Sequence, residues 1–265
     1  MIKQHFLELS GAQIDDFCSL INSLGIAKNG IFYPLLKFNS HSELNDEIEK
    51  YYNANALTIY EIALSFFNRP NEQRPFEEIL KVTKISSFIE AFITEALLPN
   101  GGKFCDQSKR ENRKKDVETP NTAFEIKVSI GSIRNKFKIT THLRHILTQC
   151  EGPKDRGPSG GPDFFLLVRI DEKTSTIYLT SLIHYSEMKK ILYKQFGNSI
   201  KEFEETGNSI FLNCYVPIEI DTADLLRNDS FALVLTNNFD FEIHRDNIDS
   251  DTIEFILSSN ANKNC

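Results

Sequence analysis

One run of apolar residues constrains the fold of this chain more than any other part of the sequence. Residues 163–170 read DFFLLVRI, with five consecutive apolar side chains at 164–168. A strand in which apolar and polar residues do not alternate is typically buried on both faces of a sheet. We therefore predict an α/β (α+β) fold in which a mixed central β-sheet is flanked by helices.

Composition limits the class of protein. The chain has 265 residues, of which 40% are hydrophobic, enough for a substantial core. Its 37 acidic and 30 basic residues give a net charge of -7, which excludes a histone-like nucleic-acid binder but allows a local basic surface. Five cysteines without CxxC spacing predict reduced thiols in a cytoplasmic protein. The longest apolar run is too short to cross a bilayer, so no membrane association is expected.

Helical patterns dominate the first third of the chain. Residues 13–80 are mostly helix-like, and apolar residues recur at helical spacing over 85–97 until PNGG ends the pattern. We predict an N-terminal helical subdomain at 1–80 and a second domain at 81–265, with its core at 85–170 and a β-rich C-terminal extension. One compact domain overall is the alternative.

The order of elements within 85–170 is the most informative part of the pattern. It runs helix, strand, strand, strand, helix, strand. The corresponding segments are 85–97, KFCD at 103–106, 116–118, 123–130, the region around 141–149, and 163–170.

The stretch KKDVETPNTAFEIKVSI at 114–130 reads as a β-hairpin. Turns on residues 120–121 and on residues 119–122 give the same register, in which Asp116 faces Glu125. The longer loop is favoured, because a proline at the first turn position suits a type I turn. Alternation along the second strand predicts one face with Phe124, Ile126, Val128 and Ile130, and another with Glu125, Lys127 and Ser129.

Two carboxylates and an amine on one face of a hairpin suggest a particular chemistry. Opposite residues hold their Cβ atoms about 5 Å apart, and two ionised carboxylates that close repel unless a cation or a proton intervenes. Mg²⁺ prefers such oxygen ligands and leaves other positions to water and phosphate. Lys127 could then orient or deprotonate a water and offset charge at phosphorus. The pattern predicts phosphodiester hydrolysis; the alternative is a solvated strand face with ordinary surface charges.

Residues 85–170 resemble the PD-(D/E)XK nuclease superfamily and its αβββαβ core. The resemblance rests on Asp116, on the E-x-K motif Glu125-Ile126-Lys127, and on the predicted order of helices and strands. Within the superfamily, the chain is most similar to the type II restriction endonucleases, although Lys115 stands where the family has proline. The resemblance implies that Asp116 and Glu125 hold Mg²⁺, for which Mn²⁺ can substitute. It also implies that the Ile126 carbonyl completes the shell and that Lys127 assists the attacking water.

The resemblance also implies a substrate and partners. It predicts a Mg²⁺-dependent, site-specific deoxyribonuclease that cuts double-stranded DNA at a short site and leaves a 5′-phosphate. We expect a homodimer on a palindrome and a companion DNA methyltransferase. The alternatives are a repair or defence nuclease of the same superfamily without sequence specificity, and a catalytically inactive DNA-binding protein.

Two further glutamates are candidates for the metal site. Some members of the superfamily add a glutamate from the helix before the hairpin, and here Glu90 is the candidate, with Glu95 as its rival. Ser87 and Glu90 also fit a helix capping box, which would give Glu90 a structural role. Glu118 shares the face of Asp116 and is either a ligand or a surface residue.

Basic residues on both sides of the hairpin predict contacts to DNA phosphates, since such contacts supply most non-specific affinity. A solvated basic face is the alternative. The Gly/Pro-rich loop at 152–161 is either an ordinary connection or a segment that enters a groove. The predicted DNA-binding residues are Lys109, Arg110, Arg113, Lys114, Lys115, Arg134, Lys136 and Lys138.

Two other stretches match the family's letters but not its geometry. Pro162-Asp163 and Asp171-Glu172-Lys173 lie on one extended strand, which would separate the two aspartates by on the order of 26 Å. They cannot share a metal ion. The second stretch, residues 187–189, is an E-x-K in a helical pattern without an acidic hairpin before it.

Overall fold

The computed structural model describes residues 33–69, 72–98, 101–105, 114–132, 135–153, 160–173, 175–206 and 215–221. Predicted elements before residue 33 and after residue 221 lie outside these ranges. No helix in the described ranges is long and apolar enough to cross a membrane. The elements are β1 (Tyr33–Lys37), α1 (His41–Ala54), α2 (Ala56–Phe67), α3 (Phe76–Leu97), β2 (Lys103–Phe104), β3 (Val117–Glu118), β4 (Ala123–Ile130), β5 (Phe137–His142), α4 (Leu143–Gln149), β6 (Phe164–Asp171), β7 (Thr176–His184), α5 (Tyr185–Thr206) and β8 (Tyr215–Ile220).

A mixed sheet of six strands organises the described residues. Its strand order is β1-β7-β6-β4-β3-β2. Strands β4 and β6 are parallel, and the other neighbours are antiparallel. All eight residues of β6 are buried, as the five consecutive apolar residues at its start predict, and the burial extends to Arg169 and Asp171. The prediction of a mixed sheet flanked by helices is therefore confirmed.

Helices cover both faces of this sheet. On one face, Ile130 of β4 and Ile170 of β6 line a cleft of about 160 Å³ together with residues of α1 and α3. On the other face, Phe165 and Leu167 of β6 join one hydrophobic cluster with residues of α4 and α5. This double covering explains why β6 carries apolar side chains on both of its faces over residues 164–168.

Helices α1, α2 and the start of α3 confirm that the described part of residues 13–80 is mostly helical, with β1 as the exception. Residues 33–37 form a strand that pairs antiparallel with β7 at one edge of the sheet. Helix α3 begins at Phe76, directly after Pro75, and not at residue 85. Ser87 therefore lies inside a helix and does not cap one, which removes the capping-box explanation for Glu90.

A second, two-stranded sheet was not anticipated by the sequence pattern. Strands β5 and β8 pair antiparallel along their whole length, with Phe137 opposite Ile220. Apolar residues of both strands belong to the same cluster as α4 and α5. The small sheet thus helps to bury the face of β4 that was predicted to carry polar side chains.

The base of the loop at 152–161 is closed by its two terminal glycines. The Gly161 N–H donates a hydrogen bond of 2.8 Å to the Gly152 carbonyl. Gly152 has φ of +74°, and a Cβ atom there would lie 2.5 Å from the Tyr185 ring. Only glycine fits at position 152 without strain. Residues 154–159 of the loop lie outside the described residues.

We expect Gly152→Ala to lower the free energy of unfolding by about 1–2 kcal/mol, because an L side chain is strained at positive φ and would meet the tyrosine ring. Gly197→Ala is the matched control, since a Cβ atom on Gly197 of α5 meets nothing within 4 Å. Urea denaturation of both variants measures the difference. Equal stability of the two variants would contradict this account of the loop.

Candidate active site

The hairpin adopts the predicted register. Val117 pairs with Phe124 and Glu118 with Ala123, so the strands end at residue 118 and resume at 123, as the longer loop requires. The Thr119 N–H donates to the Thr122 carbonyl at 2.7 Å, and the Thr122 N–H donates to the Thr119 hydroxyl at 2.9 Å. The threonine hydroxyl replaces a backbone acceptor and fixes the turn.

Asp116 is held against β4 from just outside the paired strand. Its N–H donates to the Phe124 carbonyl at 2.9 Å, and its Oδ2 accepts the Ile126 N–H at 2.7 Å. Its surface is only 8% exposed. Burial raises the pKa of Asp116 well above its usual value, and the nearby charges of Glu125 and Glu90 raise it further. The carboxyl is thus fixed where negative charge is unfavourable without a cation.

Glu125 and Lys127 form an ion pair next to Asp116. The Lys127 ammonium donates to Glu125 Oε1. Glu125 is 5% exposed, and its Oε2 is buried with no hydrogen-bond partner among the described residues. Burial lowers the pKa of Lys127, but Glu125 and Asp116 outweigh it and leave the pKa raised. Lys127 is therefore an ammonium, and Glu125 retains one buried acceptor oxygen.

The burial of this pair contradicts the interpretation of a solvated strand face. Strand β4 is largely buried on both sides, since Glu125 and Ser129 are buried as well as Phe124 and Ile126. The cause is the covering of this face by α4, α5 and the two-stranded sheet. Ordinary surface charges do not occupy such positions, because a buried charge that is not fully hydrogen-bonded costs several kcal/mol.

Glu90 of α3 is a third carboxyl group in the same electrostatic environment. Burial, and then the charge of Glu125, raise the pKa of Glu90 to about 8, while Lys127 opposes the shift. Glu95, its rival, is exposed on the same helix. The structure therefore brings Glu90, and not Glu95, together with Asp116, Glu125 and Lys127.

Glu118 is separated from this group by its own lysine partners. Its Oε1 lies 2.9 Å from Lys103 Nζ, and its Oε2 accepts from Lys115. Burial acts to raise the pKa of Glu118, but the two lysines outweigh it and lower the pKa. The charge of Glu118 is already compensated, which favours a structural role over a metal-binding one.

The predicted DNA-binding residues fall into three groups. Lys115 is buried against Glu118, so its ammonium does not face a phosphate. Lys114 pairs with Glu151 at 3.5 Å, while Lys136 and Lys138 are exposed and pair with Glu219. Lys109, Arg110, Arg113 and Arg134 lie outside the described residues.

The two rival motifs have structural roles. Asp163 joins β6 to β4, because its Oδ2 accepts the Ala123 N–H at 2.8 Å and its N–H donates to the Ala123 carbonyl. Asp171 ends the same strand, where Oδ1 accepts the Lys173 N–H at 3.0 Å. The two aspartates thus occupy opposite ends of β6, as predicted. Glu187 lies on α5 and pairs with Lys190 at 2.6 Å.

Residues at the end of α4 also reach this region, which sequence reasoning missed. Burial raises the pKa of the Cys150 thiol to about 12, while Lys127 and then Lys189 act to lower it. The thiol is therefore protonated at neutral pH and lies within the field of the candidate site. The local sequence around Cys150 does not indicate this, because the proximity arises only when α4 packs on the same face of the sheet, beside Phe165 and Leu167 of β6.

The donor set fits a divalent cation whose coordination shell is incomplete. Among the described residues, no three or more His, Cys, Asp or Glu side chains are close enough to form a metal site by themselves. Mg²⁺ is commonly held by one or two carboxylates, with water and substrate phosphate as the other ligands. Asp116 and Glu125 provide two carboxylates, and Glu125 Oε2, to which no described residue donates a hydrogen bond, is an available acceptor for a cation.

The chain was compared with protein-family models, with curated proteins and with solved structures. None of the three comparisons finds a match.

Proposed function

We propose that this protein is a Mg²⁺-dependent endonuclease that hydrolyses phosphodiester bonds of double-stranded DNA at a short specific site and leaves a 5′-phosphate. One observation carries the proposal: buried Asp116 and Glu125 lie beside Lys127, the charge of half-buried Glu90 also acts on Lys127, and Glu125 Oε2 has no hydrogen-bond partner among the described residues. The order α3, β2, β3, β4, α4, β6 supports it, since this is the αβββαβ order that the resemblance implies, with β5 inserted.

The carboxylates would hold the cation. Asp116 is oriented for this role by the Ile126 N–H, and Glu125 by the Lys127 ammonium. The Ile126 carbonyl would be a backbone ligand. Glu90 would act on the site through its charge, since no three carboxyl groups of the described residues lie close enough to form a metal site. A bound Mg²⁺ supplies Lewis acidity to a phosphoryl oxygen and lowers the pKa of a coordinated water.

Lys127 has one of two roles that the sequence leaves open. Because its pKa is raised, Lys127 remains an ammonium at neutral pH and does not abstract a proton. In the proposed reaction it orients the attacking water and offsets the negative charge that develops at phosphorus. The burial of this ammonium strengthens that effect, since water screens it weakly.

Cleavage of both strands requires two such sites. The described residues contain one such cluster of acidic residues with a lysine. We therefore propose a homodimer that places one active site on each strand of a palindrome. A companion DNA methyltransferase would protect the host genome from a site-specific enzyme.

We expect Lys127→Ala to lower the rate of Mg²⁺-dependent cleavage of unmethylated phage DNA by about 10²-fold or more, because the variant loses the buried positive charge. Lys189→Ala is the matched control, since Lys189 belongs to the rival E-x-K on α5 and is exposed. Gel electrophoresis of the products measures the rate, and discrete fragments rather than a smear indicate a specific site.

Other outcomes would select the alternatives. Equal cleavage by Lys127→Ala and Lys189→Ala would show that the site lies elsewhere. A smear that depends on Lys127 would indicate a non-specific repair or defence nuclease. A shift of DNA in the gel without cleavage in Mg²⁺ or Mn²⁺ would indicate a catalytically inactive DNA-binding protein.

A further inference from the structure

Helix α2 exposes apolar side chains at the spacing of a coiled-coil seam. Leu57, Tyr60, Leu64 and Phe67 are 73%, 45%, 38% and 44% exposed. Their intervals of three, four and three residues are those of successive a and d positions in a heptad. We call these four side chains the α2 seam.

The α2 seam is separate from the face that α2 buries in its own fold. Ile59 and Ala63 are buried and form the core-facing side of the helix. At 3.6 residues per turn, the α2 seam occupies the side between this buried face and the polar residues Thr58, Glu61 and Ser65. Helix α2 therefore leaves apolar surface accessible beside the face that it buries, although Tyr60, Leu64 and Phe67 are each partly covered by the chain's own fold.

Aromatic contacts hold part of the α2 seam in place. The rings of Tyr60 and Phe67 both meet the edge or face of Phe76, at the start of α3, with centroid distances of 5.2 and 5.7 Å. Tyr60 and Phe67 are thus each packed against Phe76 on one side, while the rest of each ring remains accessible to solvent. A surface ordered in this way loses little side-chain entropy when a partner covers it.

The spacing of the α2 seam makes it self-complementary. If two copies of α2 pair antiparallel through their seams, with the two-fold axis at the level of residue 62 along the helix, Leu57 of each lies opposite Phe67 of the other, and Tyr60 opposite Leu64. No charged residue belongs to the seam, so pairing two copies buries no unpaired charge. The same lack of charge offers no electrostatic complement to an acidic or basic partner.

The exposed area is of the size expected for the centre of a dimer interface. The four side chains offer roughly 400 Å² per copy, about half of the ~800 Å² that each partner buries in a standard interface. Val82 of α3 is also exposed and adds apolar surface near the start of that helix. Flanking polar residues would form the rim.

We propose that the α2 seam is the surface through which two copies of this chain associate. The proposal deepens the proposed nuclease function, which requires two copies, but its evidence comes from α2 alone. Its test measures mass in the absence of DNA, so its failure is distinguishable from failure of the nuclease proposal.

The test places charge in the α2 seam of the full chain. We expect the wild-type protein to sediment at tens of micromolar with about twice its chain mass of 30.4 kDa, and Leu57→Glu with Leu64→Glu to sediment as a monomer. Thr58→Glu with Ser65→Glu is the matched control, with the same charge on the polar face of α2, and should remain dimeric. Far-ultraviolet circular dichroism confirms that each variant is folded.

A cross-link tests the antiparallel arrangement independently of stability. Leu57→Cys with Phe67→Cys should give a covalent dimer under oxidation, whereas Leu57→Cys alone should not, because the two copies of residue 57 would lie about 15 Å apart along the helix axis. A monomeric wild-type protein, or a dimer that persists in the folded Leu57→Glu, Leu64→Glu variant, would overturn the proposal.

Discussion

Replacing Asp116 by asparagine is expected to lower Mg²⁺-dependent cleavage by at least about 10³-fold, because the variant loses one of the two carboxylates proposed to hold the cation. The fold should survive, since an asparagine oxygen can still accept the Ile126 N–H that Asp116 Oδ2 accepts at 2.7 Å. The variant also removes a charge that is unfavourable in its buried position. Cleavage rate and thermal unfolding, measured on one preparation, should therefore separate loss of function from loss of structure.

Asp163→Asn is an unusually close control for this experiment. Asp163 is also a buried aspartate whose Oδ2 accepts a backbone N–H from β4, that of Ala123 at 2.8 Å. The two substitutions make the same chemical change against the same strand, but only Asp116 lies beside Glu125 and Lys127. We expect Asp163→Asn to keep most of the cleavage activity. Equal activity of the two variants would remove Asp116 from the site.

Glu90→Gln is expected to stabilise the protein at alkaline pH. Folding raises the pKa of Glu90 from an ordinary value of 4.5 to about 8, so the folded state binds the proton more tightly. The contribution of Glu90 to the free energy of unfolding therefore decreases as pH rises from about 4.5 to about 8. Above about pH 8 this contribution stays at its lowest value. Each pKa unit corresponds to about 1.4 kcal/mol, and after allowance for partial solvent access we expect a gain of about 2 kcal/mol at pH 8.5 in the variant.

The measurement is the free energy of unfolding in urea for wild type and variant at pH 4.5, 6.5 and 8.5. The difference between the two proteins should grow with pH. Glu95→Gln is the control, since Glu95 is exposed on the same helix and should leave the pH dependence unchanged. A constant difference across the three pH values would show that Glu90 ionises normally and is not part of the buried group.

The features that could be predicted from sequence are those fixed by short-range chemistry. Pro120 and the alternation that follows it define the hairpin register, and five consecutive apolar residues define a buried strand. The separation of Asp163 from Asp171 follows from the rise of a strand alone. In each case neighbouring residues carry most of the signal, and the packing of distant parts of the chain agrees with it.

The features that could not be predicted depend on what packs across the sheet. Nothing near β4 indicates that its polar face is covered, because the covering comes from α4, α5 and the distant strand β8. The same cause hides the proximity of Cys150 to Lys127. Strand β1 was missed because its residues form a strand through pairing with β7, some 140 residues later in the chain.

The parallel pairing of β4 with β6 has a consequence for the order of folding. The turn at 119–122 joins β3 to β4 directly, whereas residues 131–163 must close as a loop before β6 can align with β4. Short loops close with less loss of chain entropy, so the hairpin is expected to form first. In that early state Asp116 and Glu125 are already neighbours but still hydrated. The free-energy cost of removing water from Asp116 and Glu125 therefore arises only in the last steps of folding, when the other strands and helices dock around them.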